Sequence, residues 1–476
     1  MKMRIFFLLF ILVIMVSSLN LIKGIGSTQY DNGCRIYIKN DTYVHPPTEF
    51  VTTAAYPDIV FLENDYIRVS LLPNRGLTLW GFFYKLKNEE LLYIDPKPIA
   101  HRDEKGMLFL EFGGYYMLNP WNQRDYCQCV KEYKILSNRS DMVQVYTIAY
   151  EIQTDLKLEE IVTLRKENAK IEINVKITNA GKKDRTFRFY DRFVPLVNAN
   201  TTIYIPTNKI KIGKSERNWM GAEGNFIEWP QAWSKLSEFK KYGFFFIENI
   251  NYIGLIKNRI IFIKDWLSKN DSLITRFCYF ADKYTEFNFK NSTSYIESIG
   301  REITLKPNES YEILLEFYVL PINKLDFLYR CLGGTMEIDK NNYTIGENMN
   351  LNLKLATSTE FKDIKAEIFF EKIEDKKAFK VLEEMIDRIS PRELFEKTFS
   401  IKISEYSAGS YRAYVVFYDN LGNIIARSNE KIFSVKEKVQ FIFTLLEILP
   451  TILVISIISL FIIVILYKKK RKLNNI

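Results

Sequence analysis

The sequence predicts a mainly β protein in which a large antiparallel β-sandwich and a smaller β-sandwich precede a C-terminal transmembrane helix. Along most of the chain, short runs rich in β-branched and aromatic residues alternate with turn residues, which is the pattern of antiparallel sheet. Aromatic residues make up 15% of the sequence, and this also favours sheet over helix. The last long apolar run, Ile448–Tyr467, contains no charge.

The C-terminal apolar segment, residues 445–467, is predicted to cross a membrane. A helix that rises about 1.5 Å per residue covers the roughly 30 Å hydrocarbon core of a bilayer in about 20 residues. The basic run 468–472 opens the tail, residues 468–476, and the positive-inside rule places such a run in the cytoplasm. We therefore expect a single-pass protein of the cell membrane, with extracellular N-terminal domains, a cytoplasmic tail and the lipid bilayer as a partner.

Residues 1–26 are predicted to be a secretory signal peptide. Lys2 and Arg4 precede the apolar run Ile5–Val16, which is too short to span a bilayer comfortably. An uncleaved N-terminal anchor is the alternative. Residues 27–57 then form an N-terminal extension ahead of the first sandwich.

The formal net charge of +9 does not predict nucleic-acid binding. The tail contributes five of these net positive charges and the leader contributes three, so the exported part is nearly neutral. Nucleic-acid binding by a basic face requires clustered positive charge. We therefore expect no nucleic acid among the partners.

The cysteines predict no metal site, and we expect no cofactor. Their number is odd, which leaves room for one or two disulfides outside the cell, and a chain of this length does not depend on them. Cys127 and Cys129 would share one face of a strand, but a zinc site needs two more nearby ligands. The five cysteines are Cys34, Cys127, Cys129, Cys278 and Cys331. Glycosylation is permitted by seven Asn-x-Ser/Thr sequons, at Asn40, Asn138, Asn200, Asn270, Asn291, Asn308 and Asn342.

Residues 58–322 are assigned to the larger sandwich, and all six tryptophans lie in this segment. Its predicted strands include Val143–Ile152, Lys157–Arg165, Lys170–Thr178 and Thr186–Asp191. Its opening, residues 59–76 with Leu79–Phe82 and Glu90–Tyr93, resembles that of the galactose mutarotase-like supersandwich. That family begins with L-E-N-x-x-I-x-V-x-x-L-P, a glycine turn and a strand that ends in E-x-L-Y. Later motifs keep the family order, at Asn179, Phe189–Val194, Trp229-Pro230, Tyr295–Ser298 and Ile303–Ser310.

This resemblance implies a possible catalytic pair on the concave face of the sandwich. Family members that act on free sugars use a carboxylate base from a late strand and a histidine acid. Glu297 matches the base by position. His101 precedes a predicted strand, Met107–Phe112, and is the candidate acid, although it lacks the family's Asn-His pair. A solvent-exposed loop histidine at this position, or a tyrosine as the acid, is the alternative.

The resemblance also implies a loop that lines the ligand, at residues 113–125. Aromatic side chains bind the C–H faces of sugars, while amides and charged groups bind hydroxyls. Arginines could bind a carboxylate or sulfate on a sugar. Filling the core under a long loop and forming surface ion pairs are the structural alternatives for these residues. The predicted substrate-binding residues are Arg75, Trp80, Trp121, Arg124 and Arg192.

Residues 335–435 are assigned to the smaller sandwich, which resembles the Ig-like stalk modules of cell-surface proteins. A connector at Leu332-Gly333-Gly334 is predicted to precede it. Strands are expected at Met349–Leu355, Arg412–Tyr418 and Ile424–Arg427. The charged stretch Lys377–Glu396 is expected to be a helical insert.

Three functions are compatible with this organisation. The first is a membrane-anchored surface protein whose exported head binds carbohydrate, such as a cell-envelope glycan. The second is a sugar epimerase or polysaccharide-processing enzyme with Glu297 as the general base. The third is a structural envelope protein without a small ligand. The absence of the Asn-His pair favours the first and third, and fold alone does not decide between them.

Overall fold

The computed structural model confirms a mainly β protein with a C-terminal apolar helix. It describes residues 33–39, 43–44, 55–56, 58–73, 78–102, 108–117, 130–151, 154–197, 201–205, 207, 209–212, 225–228, 233–235, 243–248, 252–266, 274–279, 294–437 and 441–473. The predicted signal peptide therefore lies outside the described residues.

The first sandwich is built from the strands that precede residue 321. In its described part these are β1 (Arg35–Lys39), β2 (Tyr43–Val44), β3 (Ala55–Tyr56), β4 (Ile59–Glu63), β5 (Ile67–Leu72), β6 (Thr78–Tyr84), β7 (Glu89–Glu90), β8 (Ile94–Arg102), β9 (Leu108–Met117), β10 (Val130–Asn138), β11 (Met142–Glu151), β12 (Leu156–Arg165), β13 (Lys170–Asn179), β14 (Arg185–Val194), β15 (Thr202–Tyr204), β16 (Lys209–Ile212), β17 (Phe226–Glu228), β18 (Trp233–Lys235), β19 (Gly243–Glu248), β20 (Tyr252–Lys257), β21 (Ile260–Trp266), β22 (Ile274–Tyr279), β23 (Ser294–Leu305) and β24 (Ser310–Leu320). One 3-10 turn, Lys85–Lys87, joins β6 to β7.

Two large sheets form this sandwich. The first, the 13-stranded sheet, runs in the order β1-β4-β5-β6-β9-β14-β23-β22-β19-β16-β17, with β7 and β8 attached to β6 and β9. The second, the 9-stranded sheet, runs in the order β10-β11-β12-β13-β24-β21-β20-β15-β18. The strand pairs within both sheets are antiparallel, so the predicted antiparallel sandwich is confirmed.

The core between the two sheets follows from strand alternation. Along β13, Ile171, Ile173, Val175 and Ile177 are buried, and the residues between them face outward. Side chains two apart on a strand share a face, so alternating apolar residues form one continuous apolar layer. Burying this layer against the same kind of layer on the other sheet supplies the main stabilisation of the sandwich.

A bulge in β23 keeps this alternation in phase with the core. The pairing of β14 with β23 contains a register shift near Gly300. Before the shift, Ile296 and Ser298 face the core, and after it Ile303 and Leu305 do so. The extra residue therefore returns the apolar side chains of β23 to the core face.

The second sandwich and the helix complete the chain. Their elements are β25 (Phe327–Tyr329), β26 (Leu332–Ile338), β27 (Asn342–Thr344), β28 (Asn348–Thr357), β29 (Phe361–Lys372), β30 (Lys377–Ile389), β31 (Phe395–Lys402), β32 (Gly409–Tyr418), β33 (Ile424–Arg427), β34 (Lys431–Lys436) and α1 (Phe441–Leu473). One sheet runs β25-β26-β28-β31 and the other β27-β34-β32-β29-β30, with β33 on β32. A buried apolar cluster joins the two sheets.

Two expectations for this region are wrong. The stretch expected to be a helical insert, Lys377–Glu396, contains strand β30, which pairs with β29 along its length. Its Glu, Lys, Leu and Met residues favour helix intrinsically, but pairing with a buried strand overrides that weak preference. The predicted connector, Leu332-Gly333-Gly334, is the start of β26. A Cβ on Gly334 would lie 2.4 Å from the carbonyl oxygen of Lys354, so this glycine permits close strand pairing.

The two sandwiches are packed against each other. A buried apolar cluster combines residues of the 9-stranded sheet, such as Tyr318 and Ile263, with Cys331 and Ala356 of the second sandwich. We call this contact the inter-sandwich interface. The amide of Ala169 in the first sandwich donates to the carbonyl oxygen of Ser358 in the second at 2.7 Å. Because the contact includes buried apolar groups, the second sandwich is more than a flexible spacer.

Helix α1 is long and apolar enough to cross a membrane. Its span Ile448–Lys470 is exposed along its whole length, and its most apolar stretch of 18 residues has a mean hydropathy of 3.0. A helix of this length and composition is consistent with a membrane anchor. Strand β34 ends at Lys436 and α1 begins at Phe441, so four residues of the sequence separate the second sandwich from the helix.

Candidate functional site

The candidate site lies on the face of the 13-stranded sheet that is turned away from the core between the sheets. Strand β14 shows how the two faces are divided. Phe187, Phe189 and Phe193 pack into that core, whereas Tyr190 and Arg192 occupy the alternate positions and face the other way. Both of these outward side chains are nevertheless buried.

Three neighbouring strands, β9, β14 and β23, place a row of polar residues across this face. Tyr116 on β9 pairs with Arg192 on β14, and Arg192 pairs with Glu297 on β23. Glu297 pairs in turn with Arg276 on β22 in backbone register. We call Tyr116, Arg192 and Glu297 the site row. Directly paired residues on one face of an antiparallel sheet lie close enough for their side chains to interact.

Glu297 supplies the negative charge of this row, and its side chain is fully buried. Arg192 donates to its Oε1 from Nε at 2.9 Å and from a terminal nitrogen at 2.6 Å. Tyr190 donates its hydroxyl to the same oxygen. A buried carboxylate requires both a compensating charge and hydrogen-bond donors, and these two side chains supply them.

The position of the Arg192 guanidinium is consequently fixed by its contacts with neighbouring side chains. Its third guanidinium nitrogen donates to the hydroxyl of Tyr116 at 3.3 Å, and the guanidinium carbon lies 6.0 Å from the centre of that ring. A guanidinium that already binds a carboxylate and a phenol offers few donors to a ligand. This geometry favours a structural and orienting role for Arg192 over direct binding of an acidic sugar.

A second ion pair lies behind the row, on the opposite face of the same strands. Asp191 and Ser298, each adjacent in sequence to a row residue, face the core and pair with each other in register. Lys264 from β21 of the other sheet binds Asp191, and its Nζ lies 3.1 Å from the Ser298 hydroxyl. The Tyr115 hydroxyl donates to Asp191 at 3.3 Å. This contact ties the two sheets together behind the row.

Burial shifts the titration of this second pair. Desolvation lowers the pKa of Lys264 to about 8, and the attraction of Asp191 offsets this only in part. Desolvation also raises the pKa of Asp191 above its usual range, against the lowering effect of Lys264. Both shifts disfavour the charged forms, as expected for an ion pair in an apolar core.

The structure describes only some of the predicted site residues. Arg75, Trp121 and Arg124 lie outside the described residues. His101 lies in strand β8, in register with Phe109 of β9, and so does not occupy a loop before a strand. Trp80 lies on β6 at a register shift, and its side chain is partly exposed. Of the predicted residues, the structure brings Arg192 and Glu297 together.

One glycine sets the spacing of the strands beside the row. Gly114 on β9 has a left-handed backbone conformation, with φ at +73°, and a Cβ there would lie 2.4 Å from the Leu79 carbonyl oxygen. Only glycine fits such a position without strain. It lies two residues before Tyr116 and allows β6 to approach β9 closely.

The sequence interpretation missed Tyr190 beside the row, as well as Asp191 and Lys264 behind it, and it included Tyr116 only as part of the predicted ligand loop, residues 113–125. A signal for them was present, since charged residues interrupt otherwise apolar strands in F-Y-D-R-F-V and I-F-I-K-D-W. Charges in buried strands are almost always paired. The partner of each charge lies on a strand distant in sequence, and this hides the pairing from local pattern.

The arrangement is suited to presenting a rigid polar surface. The carboxylate and guanidinium neutralise each other, and the tyrosine rings beside them combine apolar faces with hydroxyl groups. Tyr116 also packs with Val194 and the partly buried Tyr93. In the part of the chain that the structure describes, no group of three or more potential metal ligands is found.

We predict that Arg192 and Glu297 stabilise the fold as a pair. Arg192→Met or Glu297→Met alone should each reduce the free energy of unfolding by about 3–5 kcal/mol, because one buried charge is left unpaired. The double variant should lose much less than the sum of the two. Urea unfolding of the four proteins measures this coupling, and additive losses would show that the two side chains act independently.

Comparison with known proteins gives similarity at the level of fold. No family model matches the chain, and no curated protein is similar to it in sequence. Similar solved structures include a galactose mutarotase-like protein from Lactobacillus casei, with 11% identity, a TM-score of 0.38, and coverage of 55% of this chain and 99% of that one. A galactose mutarotase related enzyme from Lactobacillus acidophilus has 13% identity, a TM-score of 0.36, and coverage of 55% and 97%.

A TPR-domain containing protein from Parabacteroides distasonis is also similar, with 11% identity, a TM-score of 0.48 and coverage of 61% of this chain. The chain covers only 56% of that protein's length. At such identities and scores the similarities concern the fold and carry no argument about activity. Galactose mutarotase-like proteins, which the sequence resembles, are thus among the solved structures with a similar fold, and the Ig-like assignment remains a prediction.

Proposed function

We propose that this chain is a membrane-anchored cell-surface protein whose first sandwich binds carbohydrate on the face that carries the site row. The observation that supports this best is the buried Arg192–Glu297 pair with its two tyrosines. Such a pair contributes little net stability compared with apolar packing. Its placement on the face turned away from the core is consistent with a recognition surface.

The residues near the row have the chemistry that sugars require. Aromatic rings take the C–H faces of sugars, and polar groups take the hydroxyls. Tyr116 lies at the end of β9, and Trp121 follows it by five residues. The chain between them can extend to about 18 Å at most, so Trp121 lies within reach of the same ligand. Trp80 on β6 is the other candidate aromatic group.

Binding is favoured over catalysis by the contacts of Glu297. A general base needs a free oxygen within hydrogen-bond distance of the proton that it removes. Oε1 of Glu297 already accepts bonds from Arg192 and Tyr190, and the carboxylate is fully buried. In this proposal Glu297 orients the guanidinium and the tyrosines. Recognition of any acidic group on the sugar would depend on Arg75 or Arg124.

We predict that the fragment 27–436, which keeps both sandwiches, binds particular glycans on an array. Trp121→Ala should lower the affinity for the best glycan by about fivefold, because an aromatic contact contributes on the order of 1 kcal/mol. Tyr150→Ala is the matched control, since Tyr150 is exposed on the outer face of the 9-stranded sheet. Isothermal titration calorimetry with that glycan compares the three proteins.

The absence of any bound glycan in a broad array would contradict the proposal. So would an equal loss of affinity in Trp121→Ala and Tyr150→Ala, because binding would then not depend on the proposed face. Melting temperatures of all three proteins exclude unfolding as the cause of a change.

The anchor and topology are also part of this proposal. The apolar part of helix α1 is followed by the basic run 468–472, so the sandwiches would be outside the cell and residues 1–26 would serve as the signal peptide. Protease added to intact cells should digest the sandwiches and spare a tag placed after Ile476. Loss of the tag from sealed cells would show that the topology is reversed.

A further inference from the structure

The inter-sandwich interface covers a cluster of acidic side chains. Asp265 on β21 and Glu316 on β24 pair directly across the two strands, on the outer face of the 9-stranded sheet. Both are buried. Cys331 of the second sandwich donates its thiol to Glu316 at 3.4 Å, which shows that the second sandwich reaches this cluster. Two carboxylates at paired positions on one sheet face repel each other when both are ionised.

The ion pairs of Lys170 go to Glu316 and Glu172, and its attraction for Asp265 is weaker than the opposing effects of burial and of Glu316. Lys170 on β13 binds Glu316 at 2.5 Å and Glu172 at 3.0 Å. Asp265 accepts a hydrogen bond from the Tyr318 hydroxyl at 3.1 Å. Among the described residues, no lysine or arginine forms an ion pair with Asp265. Strand β20 places Tyr252 beside it in backbone register.

Residues of the inter-sandwich interface also contact this acidic cluster. Tyr318, which donates to Asp265, belongs to the apolar cluster that joins the two sandwiches, together with Cys331 and Ala356. A charge on Asp265 would lie at the edge of that apolar contact and beside the Glu316 carboxylate. Ionisation of Asp265 therefore opposes the packing of the second sandwich on the first.

We propose that the inter-sandwich interface is a pH-sensitive latch, in which protonated Asp265 holds the second sandwich docked and ionised Asp265 loosens it. The loosened state would free the first sandwich to move relative to the membrane helix. This inference does not depend on carbohydrate binding.

The titration of Asp265 supports the latch and fixes its direction. Burial, followed by the nearby Glu316 carboxylate, raises the pKa of Asp265 from its usual 3.8 to about 7. A carboxyl group whose pKa is higher in the docked state binds its proton more tightly there. Docking is therefore strongest below about pH 4, weakens as the pH rises, and has lost this contribution above about pH 7.

The test needs a measurement that is local to the inter-sandwich interface, because a second buried acid, Glu160, titrates in a similar pH range. Glu160 lies in the core between the sheets, and burial raises its pKa to about 8, so overall stability contains its contribution as well. The backbone amide of Ala169 donates to Ser358 across the interface and therefore reports on this interface separately from overall stability. Its hydrogen exchange rate, corrected for the intrinsic effect of pH, reports opening of the interface.

The test compares the full chain in detergent micelles at about pH 5 and about pH 8, with exchange resolved by mass spectrometry of overlapping fragments. In the wild type, the corrected rate at Ala169 should rise by at least about tenfold, while amides inside β13 change little. In Asp265→Asn it should stay slow at both pH values. Glu312→Gln is the matched control, because Glu312 lies on β24, the strand that pairs with that of Asp265, has an exposed side chain and should keep the wild-type response.

Three results would overturn the latch. The first is an unchanged corrected rate in the wild type, which needs no variant. The second is a pH response of Asp265→Asn equal to that of the wild type. The third is fast exchange at both pH values in an Asp265→Asn protein whose β13 amides remain protected, because a neutral group should permit docking. If Asp265→Asn does not fold, Asp265→Ser replaces it in the same comparison.

Discussion

The pairing of β14 with β23 at the middle of the 13-stranded sheet is the interaction on which the site depends. Two successive residue pairs of these strands carry charge, the first on the face toward the core and the second on the outward face. Asp191 and Ser298 face inward to Lys264, and Arg192 and Glu297 face each other outward. Each buried charge is tolerated only because its partner is present, so the register of the two strands and the charge pairing require each other.

This arrangement links the core to the candidate site. A slip of one residue between β14 and β23 would misplace all of these groups at once, and it would leave Lys264 without a partner in an apolar core. The strict register makes the outward surface rigid. Rigid polar groups bind ligands with a smaller entropic cost than mobile ones. This rigidity explains why the Arg192–Glu297 pair, which contributes little net stability, can be useful on this face.

The inter-sandwich interface changes the role expected for the second sandwich. The sequence suggested a separate module on a glycine connector, but the connector is a strand, and the apolar outer surface of the first sandwich is covered by the second. The orientation of the candidate site relative to the second sandwich is therefore set by packing. A titratable group under that packing makes the orientation responsive to pH.

Strand positions in both sandwiches were predictable, and long-range polar pairing was not. The predicted strand Ile424–Arg427 coincides with β33, and Lys157–Arg165 differs from β12 by one residue, because alternation is a local property. Glu297 was found through its place in a family motif. Lys264 was missed since its partner lies on another sheet, and β30 was mistaken for helix since its pairing with β29 cannot be read from composition.

The most direct test of the account follows the Arg192 side chain during ligand binding. The Nε–Hε resonance of a buried, hydrogen-bonded guanidinium can be followed by NMR in an arginine-labelled fragment 27–436 and assigned with the Arg192→Lys variant. Titration with the glycan that binds best should shift this resonance in proportion to saturation, because the ligand lies on the surface that Arg192 and Tyr116 support. Saturation of binding without any shift at Arg192 would place the carbohydrate site elsewhere and contradict the account.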